Sequence, residues 1–126
     1  MMDLIYGLRA RLHACPELSG HEDNTLDILQ GFLTEHTTLT VERRPAGLLA
    51  THFEGEGLET LGFRADVDAI PIEGDPGRAR HGCGHDGHSA ILCALALALE
   101  GRQVGKNIRL IFQRAEETGQ GGKAHL

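Results

Sequence analysis

A chain of 126 residues is long enough for one domain and too short for two full ones. Its 40% hydrophobic and 24% charged residues are typical of a globular protein and exclude disordered and fibrous classes. The formal net charge of -6 and the scattered Lys and Arg side chains argue against nucleic acids and anionic membranes as partners.

The apolar runs and the cysteines indicate a cytoplasmic protein. The longest apolar run, residues 90–99, is far shorter than the roughly 20 residues that cross a bilayer. The N-terminus has no basic segment followed by an apolar one, so no secretion signal is predicted. Three cysteines in such a chain indicate free thiols or a metal ligand rather than disulfides. Cys15 and Cys93 lie in apolar helical patterns and are predicted to be buried small hydrophobes.

The first half of the chain predicts two helices followed by strands. Apolar residues recur at helical spacing over residues 3–15 and 22–35, and a short strand is predicted over 39–43. Two apolar or alternating stretches, 47–53 and 58–65, predict further strands. The glycine-rich break between these two stretches predicts a hairpin turn that pairs them.

The second half predicts a loop, a helix and a strand. Residues 73–80 are rich in Gly, Pro and charge and predict a loop. A helix is predicted over 88–100 with Asp86 as its N-cap, and a strand over 107–113. The helix is apolar nearly all round and needs cover on every side. We therefore expect residues 1–126 to be a single, incomplete domain.

A cluster of potential metal ligands lies within residues 81–88, where three histidines, a cysteine and an aspartate accompany three glycines. Cys83 and His85 are two residues apart, so on an extended segment their side chains project the same way, as two ligands of one cation must. His88 would return to the same side as a third residue of the site or as a supporting group. Loop histidines beside a buried thiol are the alternative for any one residue, but the density of the cluster favours a metal site.

Two pairs of acidic residues follow predicted strands. Asp66 and Asp68 end one strand just before a proline, and either carboxylate could orient a ligand or coordinate a metal. Glu116 and Glu117 follow the last strand, where one carboxylate could bind metal while its neighbour acts as general base. A solvated strand end and an exposed acidic turn are the alternatives for the two pairs.

Together these motifs resemble the M20 family of metallopeptidases and amidohydrolases. The similarity is to the branch that hydrolyses N-acyl amino acids, including hippurate and indole-acetyl-amino-acid hydrolases. The motifs occur in the family's order and span most of the chain: Arg11-Leu12-His13, Pro16-Glu17-Leu18-Ser19, Arg64-Ala65-Asp66-Val67-Asp68-Ala69-Ile70-Pro71, Cys83-Gly84-His85-Asp86-Gly87-His88, and Leu110-Ile111-Phe112-Gln113 with Ala115-Glu116-Glu117.

The resemblance implies a role in one site for each of five residues. Cys83, His85 and Glu117 would be ligands of a two-metal centre, Glu116 the base that activates water, and Asp68 a residue that orients the site. The metals implied are Zn²⁺ or Mn²⁺, with Co²⁺ as a further option. The substrate would be a small N-acyl amino acid or peptide. Asp66, Asp86 and His88 receive no firm role.

The resemblance also implies an α/β fold, namely part of the α/β/α sandwich of an M20-type catalytic domain. Family members are much longer and contain an inserted dimerisation domain and two downstream metal-binding histidines, which this chain lacks. A truncated, non-catalytic metal-binding or structural fragment is therefore the alternative, and a homo-oligomer stays open. A redox module that uses Cys83 is disfavoured because no second cysteine lies at a CxxC spacing.

Overall fold

A computed structural model describes residues 2–18, 21–67, 69–72, 75–80 and 84–113, with the backbone alone for residues 70–72, 75–80 and 85. These residues form an α/β fold, as predicted. In chain order the elements are α1 (Met2–His13), α2 (Asp23–His36), β1 (Thr40–Arg44), β2 (Gly47–His52), β3 (Thr60–Asp66), β4 (Ile70–Ile72), β5 (Asp75–Arg80), α3 (His85–Leu99) and β6 (Asn107–Gln113).

The main sheet has four strands in the order β1-β2-β6-β3. The pairs β1-β2 and β2-β6 are antiparallel, whereas β6 and β3 run parallel and are connected through α3. Phe112 of β6 lies opposite Leu48 on one side and Ala65 on the other. Strand β6, the last described strand in the chain, thus joins the earlier strands into one sheet.

The predicted pairing of β2 with β3 in a hairpin is wrong, because β6 lies between these two strands. The hairpin instead joins β1 to β2, with Arg44 opposite Gly47. Asn107 at the start of β6 fixes the β2-β3 connection, since its Oδ1 accepts hydrogen bonds from the backbone N–H groups of Glu54 at 2.7 Å and Gly55 at 3.2 Å. The β2-β3 connection therefore crosses the start of β6, which lies between the two strands.

Residues 75–80 form strand β5, so for them the loop predicted over 73–80 from composition is wrong. Strands β4 and β5 pair as a separate antiparallel two-stranded sheet, with Ile70 opposite Arg80 and a register irregularity after Pro71. Backbone pairing holds this segment despite its Gly, Pro and charged residues, which are depleted in strands generally.

Helix α3 begins at His85, three residues before the predicted start at residue 88. The residue before the helix is Gly84, with φ 86° and ψ 6°. This left-handed conformation costs glycine little because it has no Cβ. Asp86 is consequently inside the first turn and is not the N-cap, so that prediction is wrong.

The core lies between the three helices and one face of the main sheet. Its side chains form a single cluster, which includes Leu12, Leu33 and Phe112, all three fully buried. Helix α3 is not covered on every side by the described residues, because Ile91 is 68% exposed while Cys93 is fully buried. None of the helices in these ranges has the length and apolar content of a membrane span.

Candidate metal centre

Three elements meet at one edge of the main sheet: the carboxyl ends of β3 and β6 and the start of α3. Asp66 lies opposite Gln113, and the N–H of Val67 donates to the Gln113 carbonyl at 3.0 Å. The hydroxyl of Ser89 in α3 donates to the Asp66 carbonyl at 3.2 Å and is buried. Ligands in open α/β sheets bind beyond the carboxyl ends of the strands. This edge is therefore the candidate site.

Most of the site residues predicted from the sequence lie outside the described part of the chain. These are Asp68, Cys83, Glu116 and Glu117, while His85 is placed by its backbone as the first residue of α3. Among the side chains that the structure does describe, no three His, Cys, Asp or Glu residues are grouped to hold a metal ion. The ligand and base assignments thus stay predictions.

Asp66 presents a buried carboxylate at this edge. Its Oδ2 lies 3.2 Å from the Arg64 guanidinium, and its side chain is 12% exposed. Its Oδ1 is buried and has no hydrogen-bond partner within the described ranges. A buried carboxylate oxygen requires a donor or a cation. A divalent metal at this edge fits that requirement.

Asp86, whose role the sequence left open, is held by α1. Its side chain is 1% exposed, and its Oδ2 hydrogen bonds with Nδ1 of His13 at 2.8 Å and lies 3.6 Å from Nε of Arg9. Sequence reasoning missed this contact because the partners are 73 residues apart. The only available indication was that His13 belongs to the first motif of the family resemblance.

His88 lies near the start of α3, as its spacing from His85 predicts. A Cβ on Gly84 would be 4.0 Å from Nε2 of His88. The exposed His88 side chain also lines an open cavity of about 290 Å³ with Phe63, Arg64 and three apolar residues of α3, which are Ile91, Leu92 and Leu95.

The second motif of the resemblance positions the segment that follows β3. The carbonyl of Glu17 accepts the N–H of Ala69 at 2.7 Å, and Leu18 forms a parallel bridge with Ala69. The Glu17 carboxylate accepts the N–H of Thr25 at 2.5 Å and its hydroxyl at 2.7 Å. These contacts tie the start of α2 to the chain just beyond Asp66.

The two described cysteines take no part in the site. Burial raises the pKa of the Cys93 thiol to about 12, which confirms it as a buried hydrophobe. Cys15 follows the end of α1 in a bend and is half-buried, so its predicted helical, buried position is wrong. Burial and the nearby Glu17 carboxylate raise its pKa.

Comparison with known proteins bears on this edge of the sheet. The sequence model of peptidase family M20/M25/M40 matches residues 62–126, just over half of the chain. The chain belongs to this family. The match includes all of β3 but its first two residues, together with α3 and β6, and therefore covers the parts of all three elements that meet at the candidate site.

Curated proteins resemble almost all of this chain. An uncharacterised hydrolase of Staphylococcus aureus (strain USA300) is 38% identical over 125 residues, which cover 90% of this chain and 32% of that protein. The N-acetyldiaminopimelate deacetylase of Lactobacillus helveticus (strain DPC 4571) is 35% identical over 130 residues, covering 92% of this chain and 34% of the deacetylase. The chain thus spans about a third of the length of these relatives.

Solved structures share this fold. A dinuclear metal-binding peptidase of the M20 family from Bacillus subtilis superposes with a TM-score of 0.78 at 28% identity, over 94% of this chain and 39% of the peptidase. A tripeptidase from Staphylococcus aureus superposes with a TM-score of 0.72 at 17% identity, over 98% of this chain and 39% of the tripeptidase. The described α/β unit is accordingly part of an M20 catalytic fold.

Proposed function

We propose that this chain carries the first part of a two-metal hydrolase site that cleaves the amide bond of N-acyl amino acids or small peptides. The observation that carries the proposal is the meeting of β3, β6 and the start of α3 at one edge of the sheet. Asp68 follows β3, Glu116 and Glu117 follow β6, and Cys83 immediately precedes the Gly84 that caps α3.

In this proposal Cys83, His85 and Glu117 hold metal. A thiolate just before a helix N-terminus is favoured by the helix dipole. Two divalent ions, Zn²⁺ or Mn²⁺ with Co²⁺ as a further option, would supply Lewis-acid polarisation of the amide carbonyl and a lower pKa for the attacking water.

The remaining chemistry belongs to two carboxylates of the chain. Glu116 takes the proton of the attacking water and delivers it to the leaving amine, which is the work of a general base and then a general acid. Asp68 orients the site from the end of β3. Two similarities support amide hydrolysis as the reaction class: the 35% sequence identity to an N-acetyldiaminopimelate deacetylase and the shared fold of a dinuclear metal-binding peptidase.

Metal content and turnover of paired variants test this assignment. The dialysed chain should hold at least one equivalent of zinc or manganese by elemental analysis and release amine from N-acetyl amino acids. Cys83→Ser should lose the metal, whereas Glu116→Gln should keep it and lose most turnover, about 100-fold or more. Cys15→Ser is the matched control and should change neither property, because Cys15 belongs to none of the three elements that form the site.

Two outcomes would contradict the proposal. Equal metal loss in Cys83→Ser and Glu116→Gln would reject the division between ligand and base. Metal binding without amine release would instead identify the chain as a non-catalytic metal-binding fragment.

A further inference from the structure

A contact between α1 and the first turn of α3 lies next to the proposed metal ligands. His13 is the last residue of α1, and Asp86 is the second residue of α3. Their side chains hydrogen bond at 2.8 Å between Nδ1 and Oδ2, with the Asp86 side chain 1% exposed and the His13 side chain 58% exposed. A solvent-facing helix end thus reaches a buried carboxylate.

The surroundings of Asp86 suit a fixed, negatively charged anchor. A carboxylate in the first turn of a helix interacts favourably with the helix dipole. Burial makes a carboxylate dependent on its partners, and α1 supplies two of them. Arg9 and His13 are four residues apart and therefore lie on one face of α1. The two helices approach closely here, since a Cβ on Gly87 would lie 4.0 Å from Nε of Arg9.

The same turn of α3 is also attached on its other side. Ser89 donates its hydroxyl hydrogen bond to the Asp66 carbonyl at the end of β3. The turn is therefore fastened to α1 through Asp86 and to the sheet through Ser89. It begins with His85, and Cys83 precedes it by two residues.

We propose that His13 is a positioning residue for the metal centre: its hydrogen bond to Asp86 holds the first turn of α3 against α1 and thereby sets the placement of His85, the first residue of that turn. This inference rests on the proposed function for the part that concerns metal. Asp86 acts as the buried acceptor of that bond and is not itself a ligand. Groups that orient metal ligands in this way affect affinity without touching the ion.

Four variants of the full chain separate this role from a general loss of stability. His13→Ala removes the bond, and His13→Asn keeps a nitrogen donor close to the position of Nδ1. Asp86→Asn replaces the acceptor while keeping its shape. His36→Ala is the matched control, because His36 also ends a helix and pairs with an acid, Glu35 at 3.8 Å.

Amide hydrogen exchange tests the anchor without metal. His13→Ala should speed exchange about two- to tenfold at residues 88–91, which is the factor expected from the net free energy of one hydrogen bond. Exchange at residues 95–99 should be unchanged. His13→Asn should restore much of the protection, and His36→Ala should not alter the first turn. Unchanged exchange at residues 88–91 in His13→Ala would overturn the proposal.

Cobalt titration tests the link to the metal, read from the charge-transfer band between thiolate and Co²⁺. His13→Ala and Asp86→Asn should raise the Co²⁺ dissociation constant about 10- to 100-fold while keeping the band. His13→Asn should fall between these variants and the wild type. Loss of the band in Asp86→Asn together with wild-type affinity in His13→Ala would make Asp86 a ligand and overturn the positioning role.

Hydrogen exchange and cobalt titration together distinguish failure of this inference from failure of the proposed function. If the wild-type chain gives no cobalt band, the metal assignment fails for this chain and hydrogen exchange alone decides. Faster exchange confined to the first turn of α3 would then support His13 as its anchor, and unchanged exchange would reject it.

Discussion

Glu54 shows how a single carboxylate joins distant parts of the chain. Its two oxygens accept the backbone N–H groups of Val104 at 2.7 Å and Gly105 at 2.8 Å, and it also hydrogen bonds with Nε2 of His52 at 2.5 Å. The Val104 N–H, followed by the His52 side chain, lowers the pKa of Glu54 below its ordinary value of 4.5. The ionised carboxylate therefore connects the end of β2 to the segment that leads into β6.

The lowered pKa predicts a pH-dependent contribution of Glu54 to stability. A group whose pKa is lower in the folded chain stabilises it fully above the ordinary pKa of 4.5 and loses this contribution as the pH falls through the folded value. Glu54→Gln should therefore unfold at lower urea concentration than the wild type at neutral pH, and the difference should shrink in acid. Glu56→Gln, an exposed neighbour with the same change in charge, is the control. A difference that is constant with pH would refute the linkage.

The contact of His13 with Asp86 could not be predicted from the sequence. Cys83 and His85 were singled out by a spacing of two residues, which is local information. The partner of Asp86 is 73 residues away, and only the packing of α1 on α3 makes them neighbours. Candidate ligands that share a motif can thus be proposed from the sequence, whereas a contact between two distant helices cannot.

At the scale of elements, the helices and main-sheet strands were predicted to within a few residues, but the strand partners were not. Apolar periodicity is a property of each segment and located α1, α2 and most of α3. The choice of partner is a property of the whole sheet. Strand β6 is buried along most of its length and inserts between β2 and β3, which overrides the glycine-rich break that suggested a hairpin.

Two glycines in different elements should respond oppositely to alanine. Gly47 begins β2 with φ 145°, and a Cβ there would clash with the backbone carbonyl oxygen of Phe112. Gly47→Ala should therefore lower the free energy of unfolding by more than about 1 kcal/mol. Gly31 lies on the exposed side of α2 with open space around it, so Gly31→Ala should raise this free energy by about 0.5 to 1 kcal/mol. Urea denaturation measures both, and a tolerated Gly47→Ala would contradict the described β2-β6 register.

At the scale of the whole molecule, the described residues build a core on only one face of the main sheet. The three helices and the inward-facing side chains of the main sheet share one core, which includes the buried Leu110. The opposite face of the sheet carries half-buried Leu49 and Ile111, which line an open cavity of about 330 Å³ together with three arginines, Arg44, Arg64 and Arg109. The predicted α/β/α sandwich needs a second layer on that face. The described residues supply only the first layer, and the chain spans about a third of its relatives.

Because the described residues cover only one face of the main sheet, neighbouring residues of β6 should differ sharply in their contribution to stability. Leu110 is 1% exposed and faces the helices, so Leu110→Ala should cost about 2 to 5 kcal/mol of unfolding free energy. Ile111 faces the open side and is half-buried, so Ile111→Ala should cost at most about 1.5 kcal/mol. Urea unfolding at two protein concentrations measures both values in the same strand. Equal costs would show that the open face is covered in solution, and a cost for Ile111→Ala that grows with protein concentration would identify a second copy of the chain as its cover.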